Sequence, residues 1–438
     1  MTESERIAPV ADPIARTALR KASFRLLPLI ALGYGIAYMD RINVSFAALQ
    51  MNADLHFSAT VYGFGSGLFF LSYAACEVPS NLALYRFGAR RWLARIMITW
   101  GLIAISMMFV RTPPEFYAAR FFLGMAEAGF FPGVVFYLMQ WFPPELRART
   151  ITRFYIAWPI STVFMGVVAG ALLNLQGRLS LAGWQWLFLV EALPAVLLGA
   201  VYLLYLPDGP ADAKWLTEPE RAAILAGIPP TAPHSHAILP ALRDRRVWLL
   251  GLFMFCMLSS SYAYGFYAPA ILQKITGFSI TRVGFVIAAM NLLGVFAMIA
   301  NGILSDRRRA PFAHIIPCCF LMSFGFLVFG LASTPILSIA ALLIMAMGHF
   351  AMQGPLWAIS TSFLSGRSAA AAIATMNTIG ILGGFVGPYW MGIAKDLTGD
   401  YQHGLLLMSV PMLGAAGIML YLRPARLRAS AAAVPSLP

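Results

Sequence analysis

LLPLIALGYGIAYMDRINVSFAALQ, residues 26–50, is a continuous apolar run broken only by one adjacent ionisable pair, Asp40 and Arg41. A bilayer core of about 30 Å is spanned by about 20 apolar helical residues, so this stretch reads as a transmembrane helix. Runs of similar length follow at 59–84, 90–111, 115–142, 149–175, 184–206, 247–272, 281–304, 312–332, 335–364, 369–394 and 403–422, separated by Pro, Gly or charge. The expectation is an all-α polytopic membrane protein with twelve transmembrane helices.

Composition agrees. The chain has 438 residues, 60% hydrophobic and only 11% charged, against about 25% charged in soluble domains. Its mean hydropathy is +0.74. Length alone would suggest about three soluble domains, but there is too little charge to solvate their surfaces. The net charge of +13 does not mark a nucleic-acid partner, because the basic residues sit in short loops between apolar runs. With both termini cytoplasmic, 24 of the 31 Lys and Arg lie on that side and five on the other, leaving Arg41 and Arg120 inside helices. This is the asymmetry that orients membrane helices.

The one long polar stretch, 207–246, divides the chain into an N-terminal six-helix bundle (26–206) and a C-terminal one (247–424). It is flanked by a cytoplasmic N-terminal segment, 1–25, and a tail, 425–438. Within the cytoplasmic central loop, Thr217 and Glu220 have capping-box spacing and Pro219 suits a first helical turn, so a short surface helix can start there, although a plain linker explains the stretch as well. A faint repeat links the halves: Arg86 to Arg307 and Gly166 to Gly387 share an offset of 221 residues.

The N-terminal segment carries Arg6, Arg16, Arg20, Lys21 and Arg25 ahead of an apolar run too long for a signal-peptide core, so the run is read as a retained first helix. Cys76, Cys256, Cys318 and Cys319 fall inside apolar runs with neither disulfide nor zinc spacing. No cofactor is expected. The phosphate loop GxxxxGK[ST] is missing, so transport energy would come from an ion gradient rather than from an ATPase of its own.

An ionisable group in lipid costs about 2.5–3.5 kcal/mol on insertion scales, so each one asks for an explanation. Asp40 and Arg41 lie in helix one, Glu77 in helix two, Arg120 and Glu127 in helix four, and Glu191 in helix six. Arg120 and Glu127 are seven residues apart and share a helix face. Asp40 and Arg41 diverge by about 100° around theirs and need partners elsewhere. Facing helix one against helix four gives two arginines and two carboxylates around one polar cavity. That quartet is either a neutral network locking the helices or transport chemistry, and an arginine fork suits a carboxylate ligand. Glu77, near the inner end of helix two, reads as structural, taking backbone donors or a loop arginine. Glu191 beside Pro194 and the lone His349 read the same way. Tyr73 and Trp357 fit core packing.

The stretches AYMDRINVSFA (37–47), EVPSNL (77–82), ARIMITWG (94–101), RFFLGMAEAGFFPG (120–133) and GGFVGPYWMGIAKDLTG (383–399) span both halves. In them the chain resembles the major facilitator superfamily, and within it the anion:cation symporter family, most like bacterial tartrate-type permeases. The superfamily's loop signature stands as Gly302, Leu304, Asp306 and Arg307, a gating motif. Its first-half copy, NLALYRFGARR (81–91), has Tyr85 where an aspartate is expected. The resemblance implies proton-coupled uptake of an organic anion across a bacterial inner membrane by a monomer. It implies Asp40 and Glu127 as proton carriers, Arg41 and Arg120 as carboxylate ligands, and Tyr73, Trp357 and Asn377 as contacts to the substrate body. Trp158 stands where sugar-acid carriers can present a polar amide, which leaves a short hydroxydicarboxylate such as tartrate or an aromatic acid of the phthalate or hydroxyphenylacetate type. Rivals are an exporter or uniporter, a channel, and a membrane-embedded enzyme, for which no nucleophile and base are visible.

The charge asymmetry makes a topological prediction. A cysteine placed at Thr217 should react with an impermeant maleimide only after permeabilisation, and one placed at Arg178 should react from outside intact cells. The reverse pattern overturns the orientation.

Overall fold

With no water in the bilayer to satisfy backbone groups, an apolar chain of this length has to close its hydrogen bonds within helices. The computed structural model describes residues 12–228, 242–363 and 369–432, and among them there is no strand. Arg6, the middle of the central loop and the last residues of the tail lie outside the described residues. In chain order the principal helices of the first half are α1 (Pro13–Asp54), α2 (Ala59–Phe87), α3 (Ala89–Ser106), α4 (Pro113–Glu127), α5 (Phe130–Met139), α6 (Pro144–Tyr155), α7 (Ala157–Leu173) and α8 (Gly183–Tyr205). A surface helix, α9 (Glu218–Ala226), follows. The second half comprises α10 (Arg245–Gly265), α11 (Ala268–Thr276), α12 (Ile280–Arg308), α13 (Pro311–Gly330), α14 (Pro335–Phe363), α15 (Ala369–Thr398), α16 (Gln402–Leu407) and α17 (Ser409–Ala432). Among the described residues eleven spans are long and apolar enough to cross a membrane, and α15, with 30 residues, is the twelfth by length.

Three features depart from a reading of uniform rods. First, α1 begins at Pro13 rather than near residue 26, capped by the Asp12 carboxylate, which accepts from the Ile14 N–H at 3.0 Å. At 42 residues it is about 60 Å long, and its early turns stand clear of any bilayer. There Ala15, Ala18 and Ala22 are buried, because α9 packs on α1. The Thr217–Glu220 capping box is formed. Lys21 Nζ reaches Glu220 at 2.6 Å, and together with the Thr217 N–H it holds the Glu220 carboxyl below the usual glutamate range. Trp215 stacks on Trp141 at 5.5 Å with Arg25 over its ring at 5.1 Å. The start of the central segment is therefore docked on the first half.

Second, span four is broken. α4 ends at Glu127, and Gly129 turns the chain with φ +87°, a left-handed conformation that suits glycine. A Cβ at Gly129 would also collide with Ser80 Oγ. Third, span five is interrupted between α6 and α7, and span seven between α10 and α11.

The halves meet chiefly through two helix pairs, α2 with α15 and α7 with α12. Both seams are tight toward the face opposite the termini. Asp396 accepts from the backbone N–H groups of Ala59 (3.1 Å) and Thr60 (2.8 Å), capping α2 from across the seam. Tyr62 donates to the Phe266 carbonyl at 2.9 Å, Tyr267 to that of Ala59 at 3.0 Å, and Asn174 to Thr281 Oγ1 at 2.7 Å. Gly166 and Gly284 sit backbone to backbone where α7 crosses α12, so that a side chain on either would strike the other's carbonyl oxygen. Small residues permit this approach in membranes, where van der Waals contact drives helix association.

Overpacking a close crossing costs about 1–3 kcal/mol. Gly284→Val should therefore loosen this seam, lowering the melting temperature in detergent and speeding maleimide labelling of an Asn174→Cys probe in a background without native cysteines. Unchanged melting and labelling would show that the seam does not depend on backbone approach.

Candidate functional site

The seams enclose a central cavity of about 230 Å³ whose wall includes Tyr38, Arg41, Tyr73, Glu77 and Glu127 of the first half and Asn291, His349, Gln353, Trp357 and Asn377 of the second. Among the lining residues Arg41 is the only arginine or lysine.

Arg41 reaches the wall because α1 places it toward α2 and α4. Its Nη2 donates to Glu127 Oε1, and its guanidinium lies over the rings of Tyr38 (5.0 Å), Phe69 (5.3 Å) and Tyr73 (5.2 Å). This aromatic cradle offsets part of the cost of desolvating the cation. The Arg41 side chain keeps 14% exposure and that of Glu127 1%. Glu127 is the last residue of α4, and its Oε2 has no hydrogen-bond partner.

Arg120 lies two turns earlier on α4 and is 0% exposed, behind the wall rather than on it. Its guanidinium lies 4.9 Å from the Phe69 ring, which Arg41 also contacts, so both arginines share one phenyl ring. Its Nη2 donates to the Ser66 carbonyl at 3.4 Å, while Nε and Nη1 lack partners. Asp40 and Glu127 are its nearest acidic influences. Asp40 is likewise enclosed, 1% exposed, and accepts from Asn43 Nδ2 at 3.2 Å.

The fold thus joins Arg41 to Glu127 and leaves Arg120 under the electrostatic influence of Asp40 without an ion pair, with Glu127, Arg41, Tyr73, Trp357 and Asn377 on the wall and Arg120 and Asp40 behind it. It also brings in two carboxyls the sequence left aside. Glu191 of α8 is turned toward Asp40 and Asn43, with the Asn43 amide as its polar neighbour. Glu77 takes neither backbone donors nor a loop arginine; it accepts from Asn377 Nδ2 at 3.4 Å across the α2–α15 seam. The available signal was charge within an apolar run; missing was the rotation that aims α8 at α1 and α2 at α15.

The remaining candidates are placed simply. His349 Nδ1 is 2.6 Å from Ser261 Oγ, and Trp158 stacks on Phe350 at 5.3 Å, an apolar bridge between the halves. Gly302, Asp306 and Arg307 lie in the last turns of α12 on the termini face, where Asp306 and Arg307 are exposed and, among the described residues, form no ion pair. No cluster of three or more His, Cys, Asp and Glu among the described residues is arranged to hold a metal.

Residues 30–388 match the sequence profile of the Major Facilitator Superfamily. The chain belongs to that superfamily. It is a multi-pass membrane transporter and not an enzyme. A protein of Agrobacterium vitis named "Putative tartrate transporter" is 44% identical over 94% of this chain and 93% of its own length. The "Quinolone resistance transporter" of Acinetobacter baumannii is 38% identical over 91% and 93%. Among solved structures, the bacterial homologue of the human lysosomal transporter Spinster, inward-facing and unoccupied, superposes with a TM-score of 0.78 at 17% identity, covering 95% of this chain and 98% of that one. The fold of this facilitator is therefore shared well beyond its sequence relatives.

Removing one member of a buried charge group leaves the others uncompensated, at a cost of about 3–5 kcal/mol. Arg120→Ala should accordingly lower the detergent melting temperature more than Arg41→Ala, whose site opens to the cavity. Equal or smaller loss at Arg120 would show that it is not the enclosed counter-charge of Asp40 and Glu127.

Proposed function

We propose that this facilitator is a proton-coupled symporter that takes up a carboxylate anion, tartrate or a related hydroxy acid, by alternating access of the cavity to the two sides of a bacterial inner membrane. In this reading the termini and the 207–246 segment face the cytoplasm, the unit is a monomer, and the proton gradient is the energy source. The observation that carries it is the Arg41–Glu127 pair: the one fixed cation of the cavity wall is already held by a carboxylate. An ionised Glu127 occupies the guanidinium. Protonation of Glu127 cancels that attraction and frees the fork for an incoming carboxylate, so anion and proton load together. Arg120 and Asp40, one layer behind, act by positioning: Arg120 keeps the carboxyls supplied with positive charge, and Asp40 is the group that takes over the coupling proton if Glu127 does not carry it.

The second half contributes neutral donors, Asn291, Gln353 and Asn377, suited to the hydroxyls of a short hydroxy acid. The A. vitis relative, matched along nearly its whole length, supports tartrate as the first compound to try. An aromatic carboxylate is the second reading, favoured by the rings of Tyr38, Tyr73, Trp158 and Trp357 that line the cavity with Arg41.

In proteoliposomes with an inward proton gradient, the native protein should concentrate tartrate. Arg41→Lys keeps charge but loses the fork, and should weaken tartrate binding tenfold or more. Glu127→Gln should bind tartrate with little pH dependence and fail to concentrate it. Native-like accumulation by Glu127→Gln excludes Glu127 as the essential proton carrier. Stabilisation by phthalate but not tartrate in a thermal-shift panel favours the aromatic reading.

A further inference from the structure

We propose that Glu77 is a second proton-carrying carboxyl of the cavity, competing with the transported anion for Arg41 at the seam between the halves, so that more than one proton moves with each anion. This rests on the symport reading above and adds to it a site and a stoichiometry.

Glu77 is not built as a structural lock. Its carboxyl lines the cavity and accepts one long hydrogen bond, from Asn377 at 3.4 Å, while Oε2 has no partner at all. Buried polar atoms serving only stability are normally satisfied. A carboxylate in a membrane interior with one weak bond and a free oxygen is instead poised to exchange a proton or a partner.

The surrounding charges define what that exchange does. From α1, Arg41 shares the cavity wall with Glu77; from α4 comes Glu127, already bonded to Arg41; α2 itself adds Tyr73 one turn earlier. Tyr155 of α6, Tyr262 of α10 and His349 of α14 share the same wall, and α15 offers only the neutral amide of Asn377. With Glu77 and Glu127 both ionised, this wall carries two negative charges against one guanidinium and repels an anion. One proton brings it to neutrality. The second makes it net positive, which balances one carboxylate group of the cargo. Protonating Glu77 also weakens its hold on the Asn377 amide, because a neutral carboxyl is the poorer acceptor. The amide, carried by the opposite half, becomes available to the anion in its place, so cargo substitutes for an internal contact across the seam.

The test counts protons on the native full-length protein. In weakly buffered detergent with a pH-indicator dye, tartrate binding should take up about two protons per anion by linkage, and Glu77→Gln should reduce that to about one while still binding tartrate. In proteoliposomes the proton-to-tartrate flux ratio, read from the pH gradient that just balances a tartrate gradient, should fall by the same step. Glu77→Asp keeps an acid and should keep the native ratio, whereas a merely structural role would make Asp and Gln equally disruptive. A native uptake of one proton, or an unchanged ratio in Glu77→Gln, overturns the assignment of Glu77 and leaves the symport reading intact. No uptake by the native protein overturns both.

Discussion

Two guanidinium groups cannot be left bare inside a lipid-spanning bundle, and the first half of this transporter is organised around that constraint. Both contact the Phe69 ring, Glu127 bonds the outer one, Asp40 and Glu127 act electrostatically on the inner one, and α4 stops at Glu127, where the chain turns at Gly129 against Ser80. Such a group adds little stability compared with an apolar core of the same volume. In the symport reading its cost is met by an anionic cargo, which needs a permanent cation that can be shielded and unshielded without changing its own charge.

The division of labour between the halves follows. The first half holds the charges, and the second supplies amides, an imidazole and aromatic rings. The seams that join them are tight at the face opposite the termini, where glycines allow backbone contact and Asp396 caps the partner half's helix. Toward the middle they carry two long polar contacts, Asn291 to the Thr162 carbonyl at 3.3 Å and Asn377 to Glu77 at 3.4 Å, beside the Trp158–Phe350 stack. The molecule is thus fastened on one side and equipped with exchangeable contacts at its centre.

The spans were legible because lipid imposes a length and an apolarity that any sequence must display, and Asp40, Arg41, Arg120 and Glu127 stood out by violating it. Less legible were the early turns of α1, which read as a polar segment because only their alanine face is buried, under α9. The break after Glu127 was hidden because AEAGF is a plausible helical stretch until the close approach of Ser80 is known. The placement of Arg120 behind the wall, of Glu191 beside Asp40 and of Glu77 against Asn377 depends on how helices rotate about their own axes. Periodicity within one helix says which residues share a face and nothing about which neighbour that face meets.

The confinement of formal charge to one half has an electrical consequence. Among the lining residues every arginine and acidic side chain belongs to α1, α2 or α4, and the second half adds none. When two such bodies rock about the cavity between them, the arginines and carboxylates travel together as part of one rigid unit and shift little along the membrane normal. An elementary charge crossing the whole membrane exchanges about 2.3 kcal/mol with each 100 mV of potential. In this architecture that work is done on whatever enters and leaves the cavity rather than on the carrier, so the voltage sensitivity of transport reports the net charge of what is carried.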